Sequence, residues 1–255
     1  SGIRTLKQQP SKNAIIIARA LAQLGILYRR VEDFPGAFEA LEESKLIYEE
    51  ESIDNIEFAY TLSNLGNVRR LSGDFAGSIK LLEQSTKVYK KYSGEDVGYA
   101  KILENLGKTY RDYGYFSEAQ KLLGRSIEIC NKNEKKDISS ILTALGVAYL
   151  LEGYSKEAEK LFKRSLKILE SYGKKNHPDT AWNYFLLARV YTLTEQKNLA
   201  KINAVRSFIL NKRYYPSVHS QILRNLIQLT IIYSDLILNN YNGVKREWEE
   251  EENQN

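Results

Sequence analysis

Apolar residues recur along the chain in short series with the three-residue step that one face of a helix shows. One series comprises Leu62, Leu65, Val68 and Leu71, and another comprises Ile79, Leu82, Val88 and Tyr89. The break between them contains Gly73, which suits a helix C-terminus, and Asp74, which suits the N-cap of a following helix. The pattern therefore predicts two helices joined by a tight turn, with no competing strand signal.

This helix pair repeats at intervals of 39 to 42 residues. The dipeptide Leu-Gly begins at Leu24, Leu65, Leu106 and Leu145, and it weakens to Leu187-Ala188 and Leu226-Ile227. The same step separates Ser44, Ser85, Ser126, Ser165 and Ser207, and also Ala37, Ser78, Ala119, Ala158 and Ala200. Helices cross closely only where neither presents a bulky side chain, so we expect Gly66 and Ser78 to lie at such a crossing.

The turns resemble those of tetratricopeptide repeats. Residues 114–119 (GYFSEA) and 153–158 (GYSKEA) match the Gly-x-x-x-x-Ala turn of that family. The usual repeat has about 34 residues, and the repeats here are about seven longer. Elongated repeats of this kind are similar to those of kinesin light chains, whose linker resembles residues 172–181 and whose second helix resembles residues 157–168.

We predict an all-α fold, a right-handed superhelical solenoid of about six helix-turn-helix repeats. The repeats are expected near residues 12–53, 54–94, 95–135, 136–176, 177–215 and 216–239. The last is a degenerate cap, because Ile227 replaces the small residue and Asn239 stands where Ala belongs. An N-terminal extension, 1–11, precedes the repeat domain 12–239, and an acidic tail, 240–255, follows it. The chain starts at Ser1-Gly2 and contains no Met, so we expect either an excised segment of a longer protein or the scar of a tag.

The composition favours a folded protein and leaves little material for catalysis. Hydrophobic residues make up 43% of the chain and charged residues 27%, and the single cysteine excludes an intramolecular disulfide. Cys130 has no histidine in its repeat, and His177 lies before a proline at a predicted helix start, where a structural role is expected. We therefore expect no enzyme activity, no metal site and no cofactor. No targeting or membrane segment is evident, so we expect a cytoplasmic protein, or one in the host cytoplasm if it is a secreted bacterial effector.

The net charge of +5 is unevenly distributed. The segment from Glu247 onward holds five Glu and no Lys or Arg, so residues 1–246 carry a net charge of +10. A basic body favours an acidic partner.

The first helices of stacked repeats line a concave groove, and the helical step indicates which residues face it. The predicted peptide-binding residues are Arg29, Tyr60, Asn64, Asn67, Arg70, Lys101, Asn105, Lys108, Arg111, Val147, Trp182 and Arg189. An Asn side chain can hold a peptide backbone by donating and accepting together, and Arg or Lys can pair with carboxylates. An apolar stretch with Ala144, Val147 and Leu150 could receive a bulky anchor.

These residues predict a non-enzymatic adaptor that binds an extended acidic and aromatic linear motif of a partner protein. The resemblance implies the same, because kinesin light chain repeats bind cargo motifs centred on Trp between acidic residues. The alternative is that these are solvated groove residues and that Trp182 packs between repeats. The tail supplies an acid–Trp–acid core at Glu247, Trp248 and Glu249, which is either a pseudo-ligand for the groove or a solvated segment.

Three other functions stay open at this point. The chain could belong to a bacterial regulator or effector whose repeats sense a peptide or another small ligand. RNA binding is allowed by the basic charge, although the groove has no regular pair of residues per repeat for reading one base. A purely architectural array is the last alternative. No membrane partner is expected.

Overall fold

The computed structural model describes residues 12–135, 137–215 and 221–232. Its helices are α1 (Lys12–Arg30), α2 (Phe34–Glu50), α3 (Ile56–Leu71), α4 (Phe75–Ser93), α5 (Val97–Tyr113), α6 (Phe116–Lys132), α7 (Ser139–Leu151), α8 (Ser155–Ser171), α9 (Pro178–Leu193) and α10 (Lys197–Tyr214). Residues 221–232 are also helical, and no strand occurs in these three ranges. The predicted all-α class is confirmed, and the superhelical course of the whole chain stays a prediction.

The chain divides into two compact units at residues 136 and 137. The first unit contains the helix pairs α1–α2, α3–α4 and α5–α6, and the second contains α7–α8 and α9–α10 with the helical segment 221–232. In each pair the two helices pack against each other over their length.

The turns form where the sequence predicted them. Asp74 caps α4 by accepting a hydrogen bond from the backbone N–H of Gly77 at 2.8 Å, and Asp33 caps α2 in the same way through Gly36. Gly73 adopts a positive φ of 85°, a conformation that other residues reach only with strain. These local signals end one helix and start the next within three residues.

Glycines in the first helices allow the two helices of a pair to cross closely. A Cβ atom on Gly66 would lie 2.8 Å from Cγ of Leu82 and 3.3 Å from the carbonyl oxygen of Ser78. The predicted crossing of Gly66 and Ser78 is therefore confirmed. The same contact joins Gly25 to Leu41, Gly107 to Leu123 and Gly146 to Phe162, each pair 16 residues apart.

The periodic serines form one hydrogen bond per repeat. Each serine of the series that begins at Ser44 lies buried on a second helix, and its hydroxyl donates to the backbone carbonyl 26 residues earlier, on the first helix of the same pair. The bonds join Ser44 to Ala18, Ser85 to Ala59, Ser126 to Ala100, Ser165 to Ser139 and Ser207 to Ala181, at 2.6–3.0 Å. The recurrence of serine thus has two reasons. Its side chain is small enough for a close contact between helices, and its buried hydroxyl finds a hydrogen-bond acceptor there.

Replacing Ser85 with Ala should lower the free energy of unfolding by about 0.5–1.5 kcal/mol, the usual net value of one hydrogen bond. The Ala59 carbonyl lies within α3, where the helix supplies another donor, so no acceptor is left bare. Urea denaturation measures the difference, with Ser117→Ala as the control, because Ser117 is exposed on α6. Equal losses for the two variants would contradict the role of this bond.

Within the first unit, the first helices of successive pairs are neighbours. α3 contacts α1 and α5, whereas each second helix contacts first helices only. One face of the unit is therefore built by α1, α3 and α5 together, and we call it the inner face. The core between layers joins α2 to α3 through residues such as Leu41, Tyr48 and Leu65, and it joins α4 to α5 through Leu82 and Leu106.

Candidate functional site

The inner face of the first unit carries the predicted polar and basic residues of repeats one to three. Arg29 lies on α1, the series from Tyr60 to Arg70 on α3, and the series from Lys101 to Arg111 on α5. Contacts between helices bring them together: Asn105 donates to Ser63 Oγ at 3.0 Å, and Arg70 forms an ion pair with Asp112 of α5.

Three arginines converge at one end of this face, and we call them the arginine cluster: Arg29, Arg70 and Arg111. Asp112 accepts hydrogen bonds from two of them, including one from Arg111 Nε at 2.8 Å. One carboxylate thus pairs with two of the three guanidinium groups. The cluster keeps a net positive charge of about two units, and burial lowers the pKa of Arg111 although Asp112 opposes the shift.

Arg29 is the member of the arginine cluster that has no acidic partner in the described part of the chain. Among the described residues it makes no ion pair, and its Nε is buried without a hydrogen-bond partner. Its pKa is lowered, first by burial and then by the neighbouring charges of Arg30 and Arg70. A half-buried guanidinium beside other cations gains stability from any carboxylate that reaches it.

A second ion network lies one turn away on α5. Glu104 is only 1% exposed, and it accepts hydrogen bonds from Lys101, at 2.8 Å, and from Lys108. Burial alone would raise the pKa of Glu104, but the charges of Lys108 and Lys101 outweigh this and lower it to about 2. The pKa of Lys108 is lowered by burial, against the attraction of Glu104.

Sequence reasoning missed both acids of the inner face. Glu104 and Asp112 neutralise part of the basic surface that the sequence predicted. The spacing of Glu104, three residues after Lys101 and four before Lys108, was a usable signal, because such neighbours share a helix face.

The amides of the inner face are only partly available to a ligand. Asn67 Oδ1 accepts from Arg70 Nε at 3.2 Å and from Nη2 at 2.9 Å, and Asn105 uses its amide N–H toward Ser63. The Asn64 side chain makes no hydrogen bond within the described parts of the chain. Asn64 is thus free to donate and accept together, whereas the other two keep part of their capacity.

A pocket of about 420 Å³ opens on the same face between α1 and α3. It is lined by Arg19, Ala22, Gln23, Ile26, Tyr48, Glu57, Tyr60, Thr61 and Asn64. The Tyr48 hydroxyl is buried and has no hydrogen-bond partner, while Arg19 and Glu57 pair at the surface. The Tyr60 hydroxyl donates to the Tyr89 hydroxyl at 3.3 Å.

Comparison with protein families identifies the repeats. The sequence-family model described as "Tetratricopeptide repeat" matches residues 57–132 and 137–207, which together make up more than half of the chain. The protein belongs to the tetratricopeptide repeat family. No curated protein matches this sequence.

Solved structures share the fold of this tetratricopeptide repeat protein at low sequence identity. A putative kinesin light chain with nearly identical repeats from Podospora anserina is 21% identical, with a TM-score of 0.59 over 81% of this chain and 100% of that one. The Rap protein complexed with Competence and Sporulation Factor is 19% identical, with a TM-score of 0.71 over 86% and 64%. BtubC (BKLC) from P. vanneervenii is 14% identical, with a TM-score of 0.62 over 88% and 84%. The predicted resemblance to kinesin light chain repeats is confirmed for the fold.

The second unit of this tetratricopeptide repeat protein holds three predicted site residues in different settings. Arg189 is exposed, Val147 is half-buried, and Trp182 stacks on Phe185 with ring centroids 5.1 Å apart. Trp182 is half-buried and packs against a core cluster with members from α7, α8, α9 and α10, as the alternative interpretation held.

The apolar stretch expected beside Val147 differs from the prediction. Ala144 and Leu150 are buried, and Leu186 of the equivalent stripe on α9 is also buried. A helical step shows which residues share a face, but it does not show how deep that face lies between neighbours.

The remaining sequence predictions concern the cysteine, a histidine at a helix start, metal ligands and the two ends of the chain. Cys130 is buried, and burial raises the pKa of its thiol. His177 is the N-cap of α9 and accepts from the Asp179 N–H at 3.2 Å, the predicted structural role. Within the described ranges, no group of three His, Cys, Asp or Glu could hold a metal ion. The pseudo-ligand Glu247, Trp248 and Glu249 lies outside the described residues, as does the extension 1–11.

None of the helices of the described ranges has the length and apolar character needed to cross a membrane.

Proposed function

We propose that the protein is a non-enzymatic adaptor whose inner face binds an extended peptide with acidic residues. The family generally provides scaffolds for protein–protein interaction. The observation that carries the proposal is Arg29, a half-buried cation with no acid of its own beside Arg70. A carboxylate of the peptide would supply the missing counter-ion.

The neighbouring groups suit the rest of a peptide. Asn64 offers a donor and an acceptor to a backbone amide, and the pocket beside it has room for one large side chain. Asn64 and Arg70 lie six residues apart on α3, which corresponds to about 9 Å along a helix. An extended peptide spans this distance with about three residues, so an apolar side chain and an acid at that spacing would fit both places.

The two acids of the inner face argue for a peptide over RNA. Glu104 and Asp112 divide the basic surface into separate cations, each placed for one carboxylate. Polynucleotide binding instead needs a continuous run of positive charge along a phosphate backbone. Binding of a polynucleotide at low salt with a steep salt dependence would favour RNA over our proposal.

A regulator that senses a peptide is the second candidate function. The likeness in fold to the Rap protein, which was solved with Competence and Sporulation Factor, favours it. Both functions use a bound peptide, and they differ in whether a change in an output follows. A cytoplasmic location, or the host cytoplasm for a secreted effector, belongs to this proposal.

A peptide-display screen tests the proposal. The wild-type protein should enrich acidic peptides, and Arg29→Gln should lose them, because charged hydrogen bonds contribute about 1.5–3 kcal/mol. Fluorescence anisotropy with a recovered peptide should show binding weakened by about tenfold or more. The control is Arg30→Gln, since Arg30 is the exposed neighbour on the same helix.

Recovery of the same peptides by the wild type and by Arg29→Gln would overturn the site assignment. A library without acidic enrichment would overturn the ligand class.

A further inference from the structure

α1 has a second face, which is apolar and exposed. The residues of this outer face of α1 are Ile16, Ile17, Ala20, Leu24 and Leu27, and the exposed Val31 follows directly after the helix. At about 100° per residue they fall within a sector of about 100°, separate from the inner-face residue Arg29. A contiguous apolar surface of this kind marks an interaction site more often than a solvated face.

The repeat register shows that these are core positions of a stack. A shift of 41 residues moves Ile17 to Phe58 and Leu27 to Val68 on α3. Ile17 is 51% exposed and Phe58 is 6%, while Leu27 is 56% exposed and Val68 is 0%. On α3 these positions are covered by α2, but on α1 no described helix covers them.

The covering helices show what chemistry fits such a face. Tyr48 of α2 packs on Phe58, with ring centroids 5.5 Å apart, and Glu42 of α2 pairs with Arg69. As residue numbers rise on α2 they fall on α3, so the covering helix runs antiparallel. The side of α2 that contacts α3 has an aromatic side chain near the start of α3 and apolar and small residues along the remainder of the contact.

Charge beside the outer face narrows the choice of partner. A groove of about 430 Å³ runs from Leu24 across to α2, and its lining includes Asp33, Glu39 and Glu43 but no Lys or Arg. A helix laid on this face would therefore be stabilised by Lys or Arg along the edge that meets α2. A second copy packed along α1 fits less well, because the outer face of α1 contains no aromatic side chain to take the place of Tyr48.

We propose that the outer face of α1 docks an amphipathic helix of a partner protein, antiparallel to α1, with an aromatic and aliphatic stripe and a basic edge. This surface is distinct from the inner face and does not depend on the proposed peptide there. The two sites would let one adaptor hold two partners.

The chain itself supplies probes of the right chemistry. A stapled helical peptide of residues 75–93, the sequence of α4, has four Lys and one Glu, while one of residues 34–50, the sequence of α2, has one Lys and five Glu. Both carry the stripe that covers a first helix. Fluorescence anisotropy with the full chain should show binding of the 75–93 peptide, with the 34–50 peptide at least tenfold weaker.

Substitutions test whether the 75–93 peptide binds at the outer face of α1. Leu27→Glu should weaken the 75–93 peptide at least tenfold, whereas Leu193→Glu, at an exposed leucine of the second unit, should leave it unchanged. The double variant Glu39→Lys/Glu43→Lys should reverse the preference between the two peptides. Circular dichroism and thermal unfolding verify that each variant folds, and since these side chains are exposed we expect unchanged stability.

Three results would overturn the proposal. The first is no binding of the 75–93 peptide, or binding that Leu27→Glu does not change. The second is a dimer of the protein alone that Leu27→Glu dissociates in sedimentation, which would assign the face to a second copy. The third is peptide binding that appears only after residues 1–11 are removed, which would assign the face to that segment.

Discussion

Replacing Glu104 with Gln is expected to lower the free energy of unfolding of the first unit by about 3–5 kcal/mol at neutral pH. The carboxylate is buried on α5 between Lys101 and Lys108. Gln keeps the shape of the side chain but removes its charge, so the half-buried ammonium of Lys108 loses its counter-ion. A loss of this size is a large part of the stability of an ordinary domain.

Chemical denaturation of the two proteins measures this loss. Glu118→Gln is the matched control, because Glu118 is exposed on α6 and should change stability by no more than about 0.5 kcal/mol. If Glu104→Gln were as stable as the wild type, the buried network would contribute nothing to folding.

The same carboxylate makes a pH dependence that the variant should lack. The pKa of Glu104 is lowered from 4.5 to about 2 in the folded protein. A carboxyl group with a lowered folded pKa stabilises the fold above its unfolded pKa, and this contribution is lost as the pH falls toward the folded value. The difference in stability between wild type and Glu104→Gln should therefore be greatest above pH 4.5 and shrink between pH 4.5 and 2. A constant difference across this range would contradict the assignment.

Replacing Leu123 with Ala is expected to cost about 2–5 kcal/mol, because Leu123 is fully buried against Gly107 and the change leaves a cavity. Gly107→Ala alone should cost about 1–3 kcal/mol, since its Cβ would lie 2.8 Å from Leu123 Cγ. The double variant should cost less than the two losses together, because the added methyl group fills part of the cavity.

Repeat five shows why the losses should not add. The residues equivalent to Gly107 and Leu123 are Ala188 and Ala204, both buried in one core cluster. In repeat five the second helix thus has a smaller residue than Leu123, and the first helix has a larger residue than Gly107. A double-mutant cycle in urea should give a coupling energy of about 0.5–3 kcal/mol, and strict additivity would contradict it. Gly124→Ala is the control: its Cβ meets nothing within 4 Å, so it should stabilise α6 by about 0.5–1 kcal/mol.

The repeat architecture was predictable because its signals are local and recur five times. Caps such as Asp74 and crossings such as Gly66 depend on residues a few positions apart or in one helix pair. The family match and the helix pairs agree with that prediction.

The charge of the inner face was only partly predictable. Arg70 and Arg111 were recognised as basic groups of one stripe, but Asp112, which binds both, lies one residue beyond that stripe. The burial of Leu150 depends on packing with other helices, which a helical period alone does not contain. The unused N–H donor of Arg29 follows from the absence of an acceptor among its neighbours, which depends on how the helices pack.

The serine bonds have a consequence for how this chain tolerates changes in length. Between one serine and the next the interval varies from 39 to 42 residues, yet the interval from each serine back to its carbonyl is 26 in all five repeats. Insertions and deletions have therefore been accommodated outside that 26-residue window, in the connections between one helix pair and the next. A duplicated pair would carry its donor and its acceptor with it, so the array can gain or lose whole repeats without breaking this bond in any of the others.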